Sequence, residues 1–383
     1  MEQYDVAVVG AGPAGSSAAR AAADAGASVV LLDRAEFPRY KTCGGGLIGP
    51  STGALPAGPP VRMPVTRASF TLRGGRYRER SAAAPFLAMT TRVELDAWLL
   101  DWAVEAGAEV RAPCRVGEVV DGPDRVVVHT DEGSLGARVV VAADGTSSRI
   151  ARDVGVRLGR VDLGLEVELE AGDRADEWEG RVHLDWGPLP GSYAWVFPKG
   201  DSLTVGVIAE RGRPEDTKAY LRAFVKAQGL DRQRVLHDSG HLTRCRAPGS
   251  PLGRGRVLLA GDAAGLLEPW TREGISFAAR SGATAGAVAA QVVLQESDDL
   301  QAAYAAAVGS ELVPEMAAGE TCRVAFERRP AAFHALLAGT DVGWRSFQRV
   351  ASGDATLERA LRHASVRLGL RALSLGSGTR RAA

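Results

Sequence analysis

A glycine-rich turn near the N-terminus constrains the fold of this chain more than any other feature of its sequence. A short apolar run, Val6 to Val9, leads into Gly10-Ala-Gly-Pro-Ala-Gly15, and an alanine-rich segment that predicts a helix follows. A second apolar run, 28–32, ends at Asp33. A strand, a GxGxxG turn, a helix, a second strand and an acid are, in that order, the parts of a dinucleotide-binding βαβ unit.

Each position of this turn has a physical reason. Gly10 allows a sharp turn, Gly12 lets the backbone approach a pyrophosphate, and Gly15 lets the helix pack closely on the strand. Backbone N–H groups at the start of the helix face the phosphates. Asp33 is placed to accept a hydrogen bond from a ribose hydroxyl. We therefore predict that this unit binds the ADP half of a dinucleotide through Gly10, Gly12, Pro13, Ala14, Gly15, Asp33 and Arg34.

Charge and cysteine content exclude several classes of function. The 383 residues contain 46 Lys+Arg and 46 Asp+Glu, so no net charge favours a nucleic-acid partner. The four cysteines form no CxxC pair, which argues against a metal site or a dithiol redox motif and fits a reducing cytoplasm. No signal peptide is recognisable, and no apolar run reaches the ~20 residues that cross a bilayer. We therefore expect a cytoplasmic protein.

Two further pairs of glycine and acid follow predicted strands. Asp144-Gly145 comes after the apolar run 137–142, and Gly261-Asp262 comes after the run 257–260. In an open α/β sheet, ligands bind beyond the carboxyl ends of the strands. The glycine turn at 10–15 and the two pairs of glycine and acid can therefore meet on one extended cofactor.

These motifs, in this order, resemble the two-domain FAD-dependent oxidoreductases of the para-hydroxybenzoate hydroxylase type. Within that superfamily the sequence is most similar to the geranylgeranyl reductase family, which saturates double bonds in polyprenyl chains. Three stretches carry the similarity: Lys41-Thr-Cys43-Gly-Gly-Gly46, Tyr193-Ala-Trp195-Val-Phe197-Pro198, and the segment 261–275. The resemblance spans roughly residues 1–295, and Arg272 departs from it, since that family more often has glycine there.

The resemblance implies that FAD is the cofactor. It places Arg92 near the cofactor, Asp144 near the pyrophosphate, and Asp262 on the ribityl or pyrophosphate region. Gly274 opens a long predicted helix whose dipole could stabilise the anionic reduced flavin. The predicted cofactor contacts beyond the first turn are Cys43, Gly44, Gly45, Arg92, Asp144, Gly145, Gly261, Asp262, Gly274 and Ile275.

The fold class that follows is α/β, or α+β overall. Residues 1–60, 88–155 and 245–297 are predicted to form a Rossmann-like FAD-binding domain. Residues 61–87 and 156–244 are predicted to form an antiparallel β-sheet domain that binds the substrate. Residues 298–383 are predicted to be a helical C-terminal region.

Catalysis is predicted to involve Cys43, Tyr193 and Trp195. An isolated isoprene double bond is not polarised, so its reduction needs a proton donor and a dry pocket. Cys43, in a flat glycine loop, is the candidate donor, and the alternative is a small buried hydrophobe. The rings of Tyr193, Trp195 and Phe197 share one strand face, where they form a substrate pocket with Pro198 or simply pack as core.

The electron donor and the membrane contact are left open. No second Rossmann unit is predicted, so electrons come from transiently bound NAD(P)H or from a ferredoxin-like carrier. The tail 357–381 predicts a helix that either docks on the protein or lies on the anionic inner face of the membrane. Its apolar face holds Leu357, Leu361, Ala364, Leu368 and Leu375, with Arg359, Arg362, Arg367 and Arg371 elsewhere.

Two functions remain after these steps. The first is a FAD-dependent reductase of a polyprenyl group in geranylgeranyl diphosphate, a prenylated quinone or a prenyl lipid. The alternative is a flavin-dependent monooxygenase or halogenase acting on an aromatic or polyketide substrate, because these enzymes share the FAD motifs. Halogenases also carry a WxWxIP pattern close to that at 193–198, but the loop at 41–46 argues against a halogenase.

Overall fold

The computed structural model describes residues 1–122, 124–296, 299–363 and 366–368. The strands in these ranges are, in chain order, Gln3–Val9 (β1), Val29–Leu32 (β2), Gly46–Leu47 (β3), Met63–Val65 (β4), Arg67–Leu72 (β5), Gly75–Ser81 (β6), Leu87–Met89 (β7), Glu109–Arg111 (β8), Val116–Asp121 (β9), Val126–Thr130 (β10), Gly133–Ala142 (β11), Leu158–Glu170 (β12), Arg181–Trp186 (β13), Tyr193–Pro198 (β14), Ser202–Glu210 (β15), Val235–Arg246 (β16), Gly253–Arg254 (β17) and Val257–Leu259 (β18). The helices are Pro13–Asp24 (α1), Ser51–Ala54 (α2), Arg92–Glu105 (α3), Arg149–Val154 (α4), Ala175–Trp178 (α5), Pro214–Ala227 (α6), Ile275–Gln295 (α7), Leu300–Glu311 (α8), Val313–Arg328 (α9), Pro330–Gly339 (α10), Asp341–Ala351 (α11) and Leu357–Arg362 (α12).

The first sheet contains the predicted βαβ unit. Its order is β17-β18-β11-β1-β2-β8, and β10 and β9 extend it from β11. Strands β18, β11, β1, β2 and β8 run parallel. The last four residues of β1 and all of β2 are buried, as expected for parallel strands covered on both faces. Helices α1 and α7 pack against each other and against this sheet, which confirms the Rossmann-like fold.

The second sheet has seven strands in the order β16-β12-β15-β14-β13-β5-β6. It was predicted to be antiparallel, but β13 and β5 pair in parallel. The two strands are joined by more than a hundred residues rather than by a tight turn, so no hairpin sets their relative direction. The remaining neighbours in this sheet are antiparallel.

Two elements differ from the sequence expectation. Strand β16 was not predicted, because its segment is polar and its alternation is weak. It is an edge strand, so little of it needs to be apolar. The helical stretch expected from residue 298 is divided at Leu312, where α9 begins with a proline in its first turn. Proline lacks the N–H that would continue α8 but fits a helix start.

The C-terminal helices pack against the second sheet. Phe333 of α10 and Trp344 of α11 belong to the same buried cluster as Phe70 and Phe86. In the described ranges, no helix combines the length and the apolar character needed to cross a membrane. The domain boundaries given above stay a prediction.

Candidate active site

The three strands that lead into the glycine turn and the two glycine–acid pairs are neighbours, and they end at one edge of the first sheet. Strand β11 lies between β1 and β18, so the strand end that leads to Asp144 lies between the strand ends that lead to Gly10 and to Asp262. A cavity of about 1330 Å³ opens from this edge and is lined by all three residues. It exceeds the roughly 300–1,000 Å³ of a typical single-ligand pocket, so a dinucleotide and a second molecule can share it.

Asp33 holds the glycine turn as well as facing the cavity. Its Oδ2 accepts the N–H of Ala11 at 2.7 Å, and its Oδ1 accepts the N–H of Ala35 at 2.9 Å. The side chain is buried and lines the cavity beside Gly10 and Gly12. The acid at the end of β2 therefore fixes the turn that was predicted to receive the phosphates.

Two arginines flank this turn. The guanidinium of Arg92 binds both oxygens of Asp96 at 2.6 and 2.7 Å, and Arg39 binds the same carboxylate at 3.1 Å. A Cβ built on Gly12 would lie 3.6 Å from Arg39 and 3.8 Å from Arg92, so both cations border the bare backbone of the turn. Asp96 is fully buried and orients them. Such a pair of cations beside helix N–H groups suits a pyrophosphate.

The residues present fit FAD. Among the described residues, Asp144 Oδ1 is buried and has no hydrogen-bond partner. Burial also raises the pKa of the Asp144 carboxyl. A buried oxygen without a partner is costly in a folded protein unless a ligand satisfies it. At Gly12 the nearest atoms to a Cβ would be the guanidinium groups of Arg39 and Arg92, so cations and not backbone border this side of the turn.

The loop that carries Cys43 lies flat against the second sheet. A Cβ on Gly44 would lie 3.0 Å from the Phe197 ring and 3.4 Å from Trp195 Nε1. Gly45 has φ +73°, and a Cβ there would overlap the carbonyl oxygen of Thr90. A Cβ would therefore press on the Phe197 ring at Gly44 and clash with the backbone at Gly45, and the bare Gly44 backbone lies against the aromatic rings.

The sheet face that borders the cavity has an aromatic half and a polar half. One row of paired residues runs Trp195, Gly206, Glu166 across β14, β15 and β12. The next row runs Tyr193, Ile208, Gly164 and His241, ending on β16. The rings of Tyr193 and Trp195 lie 5.8 Å apart, and those of Trp195 and Phe197 lie 6.0 Å apart. We call these three rings the aromatic wall.

Arg272 ties the segment before α7 to the second sheet. Its Nε lies 3.0 Å from Asp162 Oδ2, and its guanidinium lies 5.4 Å from the Tyr193 ring centroid. The hydroxyl of Tyr193 donates to the carbonyl of Thr271. The φ of Arg272 is +58°, a conformation that glycine adopts without strain. The backbone thus keeps the shape expected of glycine, while the buried side chain forms an ion pair.

Arg272→Gly is expected to lower the free energy of unfolding by roughly 2 kcal/mol. Breaking a buried ion pair costs about 3–5 kcal/mol, and relief of the backbone strain returns about 1 kcal/mol. Urea unfolding of the variant measures the change. Because Arg160 also binds the Asp162 carboxylate, at 2.9 Å, that charge keeps one partner and the loss should lie at the lower end of this range. Unchanged stability of Arg272→Gly would contradict the ion-pair account.

The far end of the cavity is lined by the C-terminal helices. Phe333 of α10, Phe347 of α11 and Leu361 of α12 contribute apolar side chains there. Leu357 and Leu361 also pack against the buried cluster of the second sheet. The start of the predicted amphipathic helix therefore docks on the protein. Ala364, Leu375 and Arg371 lie outside the described residues.

Most of the predicted site residues share this one cavity. Those that line it are Gly10, Gly12, Pro13, Ala14, Asp33, Arg34, Cys43, Gly44, Gly45, Arg92, Asp144, Gly145, Tyr193, Trp195, Phe197, Asp262, Gly274 and Ile275. Three do not. Gly15 and Gly261 are buried in packing contacts, and Pro198 lies on the opposite side of β14 from the aromatic wall because side chains alternate along a strand.

Sequence reasoning missed the polar residues that line the same space. Arg39, Lys41, Glu166 and His241 all border the cavity. One signal was available for Glu166. In the run 163–169 leucine and valine alternate with Gly164, Glu166 and Glu168, which indicates a polar or bare face opposite the apolar one. No local pattern marks Arg39 or His241.

Comparisons with known proteins agree with this geometry. Residues 5–142 match the family model described as FAD dependent oxidoreductase. Digeranylgeranylglycerophospholipid reductase 1 of Methanopyrus kandleri is 34% identical over 320 residues, which cover 79% of this chain and 84% of that protein. A match over this share of the chain includes residues of both large sheets.

Solved structures share the fold. A geranylgeranyl bacteriochlorophyll reductase-like protein from Thermoplasma acidophilum superimposes with a TM-score of 0.77 at 21% identity, covering 98% of this chain and 97% of its own. The flavin-dependent brominase Bmp2 superimposes with a TM-score of 0.74 at 18% identity, covering 97% of this chain and 100% of its own. At these identities the likeness concerns the fold alone. On its sequence match across both sheets, the chain belongs to the geranylgeranyl reductase family of FAD-dependent oxidoreductases.

Proposed function

We propose that this enzyme saturates carbon–carbon double bonds of a polyprenyl group in geranylgeranyl diphosphate, a prenylated quinone or a prenyl lipid. The observation that carries the proposal is the apolar lining that continues from the aromatic wall to the C-terminal helices. A polyprenyl chain is a hydrocarbon, so burial against apolar side chains, rather than hydrogen bonding, would hold it. The name of the Methanopyrus kandleri relative points to the same substrate class.

The residues around the first sheet would hold the cofactor. The turn at 10–15, with Arg39 and Arg92 beside it, would take the pyrophosphate, and Asp144 and Asp262 would take the middle of the molecule. Gly274 caps α7, whose N-terminus lines the cavity. When bound and reduced, FAD supplies the hydride for the double bond.

The second sheet would position the substrate. Tyr193 and Trp195 are largely buried, and their rings would hold the prenyl chain in place and exclude water from the double bond. Tyr193 is further fixed by its hydrogen bond to Thr271. We propose that Cys43, Tyr193 and Trp195 are among the residues that contact the reacting part of the prenyl chain.

The electron donor is proposed to be NAD(P)H or a ferredoxin-like carrier, and membrane contact is proposed to be peripheral. Leu336 and Val342 line the apolar end of the cavity while 46% and 66% of their surfaces are exposed. An apolar mouth of this kind would let a prenyl chain enter from a lipid surface.

The test is reduction of a prenyl substrate without oxygen. Photoreduced enzyme mixed with geranylgeranyl diphosphate should add two hydrogen atoms to each double bond reduced, and mass spectrometry detects the product. Oxidised enzyme, treated in the same way, is the control and should give no mass increase.

A different result would favour the monooxygenase or halogenase alternative. The fold is shared with the brominase Bmp2, so that alternative has a structural basis. If no prenyl substrate gains mass, while an aromatic substrate stimulates NAD(P)H oxidation in air, the reductase proposal is wrong.

A further inference from the structure

Glu166 is a second acidic side chain in the cavity, and it was not considered when Cys43 was predicted as the proton donor. Its side chain is 3% exposed and lines the cavity. Its Oε1 accepts the backbone N–H of Cys43 at 2.8 Å. Within the described part of the chain, this carboxyl accepts no other hydrogen bond. A buried carboxyl that lines the cavity and has one backbone partner is a candidate proton donor.

We propose that Glu166, rather than Cys43, is the acid that protonates the substrate, an inference that rests on the function proposed above. One alkene carbon takes the hydride, with its two electrons, that reduced FAD supplies. The other carbon takes the proton of the Glu166 carboxyl group, so a C–H bond forms as the O–H bond breaks. The electron pair of that O–H bond stays on the carboxylate, which then takes a proton from water.

The sheet register places this acid on the same sheet face as the aromatic wall, two strands away from β14. Glu166 pairs with Gly206, and Gly206 pairs with Trp195, so the three lie in one row. The Trp195 ring lies over the bare Gly206, where a Cβ would be 2.7 Å from its Cη2 atom. Only a glycine therefore separates the carboxyl group from the ring that would hold the prenyl chain.

Cys43 is less suited to this role. It presents its backbone N–H to Glu166, while its side chain packs against the apolar cluster of Leu95, Leu99 and Ile275. A free cysteine packed in this way behaves as a small hydrophobic side chain with only a weak S–H donor.

The surroundings of Glu166 favour its protonated form near neutral pH. Burial raises the pKa of Glu166 to about 7, and the nearby Glu168 acts in the same direction. Lys199 and Lys41 oppose the shift. The remaining titratable groups facing it are Cys43 on the loop, Tyr40 beside it, and His241 on β16, whose ring lies 3.1 Å from Lys41 Nζ and 3.7 Å from Asp262.

The pH dependence has a definite sign. The donor is the protonated acid, so the rate should be highest below about pH 7 and should fall about tenfold per pH unit above it. Single-turnover reduction of geranylgeranyl diphosphate by photoreduced enzyme measures this step apart from the delivery of electrons.

Glu166→Gln is the main variant. Its amide oxygen can still accept the Cys43 N–H, so the loop should stay in place, but its amide is not an acid. The single-turnover rate should fall about 10²–10⁴-fold and lose its decline above neutral pH, while FAD content and photoreduction stay normal. Glu166→Asp should be slower than the parent enzyme yet keep the decline.

Two further variants serve as controls. Glu170→Gln changes an exposed acid on the same strand and should leave both rate and pH profile unchanged. Cys43→Ala should lower turnover but keep the decline above neutral pH. Infrared spectroscopy adds a readout independent of turnover: a carboxylic-acid band that disappears as the pH rises through about 7 and is missing in Glu166→Gln.

The proposal is overturned if Glu166→Gln keeps the parental rate and pH profile, or if Cys43→Ala alone removes the decline. It is also overturned if the infrared band of the parent enzyme is unaffected by Glu166→Gln. Failure of the proposed function looks different, because then the parent enzyme itself would saturate no prenyl chain at any pH.

Discussion

Gly15→Ala is expected to abolish FAD binding and to lower the free energy of unfolding by about 3 kcal/mol. A Cβ at this position would overlap the carbonyl oxygen of Gly10 and lie 2.8 Å from its carbonyl carbon. Neither atom can move away cheaply, because the Gly10 N–H donates to the carbonyl of Leu32 and α1 packs on α7. Overpacking of this kind costs about 1–3 kcal/mol or more, and here it also displaces the phosphate-binding turn.

The measurements are the flavin absorbance of the purified protein and urea unfolding. Gly309→Ala is the matched control, since Gly309 lies in α8 and a Cβ there would meet no atom within 4 Å. It should keep FAD and be as stable as the parent or up to about 1 kcal/mol more stable. A Gly15→Ala protein that retains FAD would show that the turn does not depend on this close approach.

Gly206→Ala is expected to slow prenyl reduction by a hundredfold or more while FAD stays bound. The added methyl group would overlap the Trp195 ring, which lies directly over Gly206. The ring would have to leave the aromatic wall, and a displacement of about 1 Å near reacting groups typically costs about 10²-fold in rate. Single-turnover reduction of geranylgeranyl diphosphate measures the loss, and flavin absorbance reports the bound cofactor.

Gly164→Ala is the comparison for this variant. Gly164 lies in the neighbouring row of the same face, but a Cβ there would make only ordinary contacts, at 3.6 Å to His241 and 3.8 Å to Ile208. Gly164→Ala should lower the single-turnover rate much less than Gly206→Ala does. Equal losses in the two variants would mean that the position of Trp195 does not govern the rate.

The cofactor half of the site was largely predictable from sequence. Turns such as Gly10–Gly15 and Asp144-Gly145 follow buried strands directly, and neighbouring parallel strands must end at one edge of the sheet. The start of α3 is also local: the Thr91 hydroxyl accepts the Glu94 N–H, and the first turn of this helix supplies Arg92. In these cases the contacts that matter are local, or are fixed by strand order.

The substrate half was predictable only in part. Tyr193, Trp195 and Phe197 share a face because of the two-residue period of a strand, and that much was read from the sequence. The position of Glu166 on the same sheet face could not be predicted, because it depends on the pairing of β14 with β15 and of β15 with β12. Strand β16, with His241, was missed altogether since an edge strand needs little apolar patterning.

The glycine turn, the two later acid motifs and the alternation of the aromatic strand determined, by themselves, the family, the cofactor and one wall of the pocket. They do so because each is a short-range pattern whose backbone geometry is set by neighbouring residues. Only the tertiary structure decided what surrounds that wall. Cys43 and Glu166 are 123 residues apart in the chain, and the far end of the cavity is lined by α10 to α12. Such contacts depend on which surfaces pack together, and no local pattern encodes that choice.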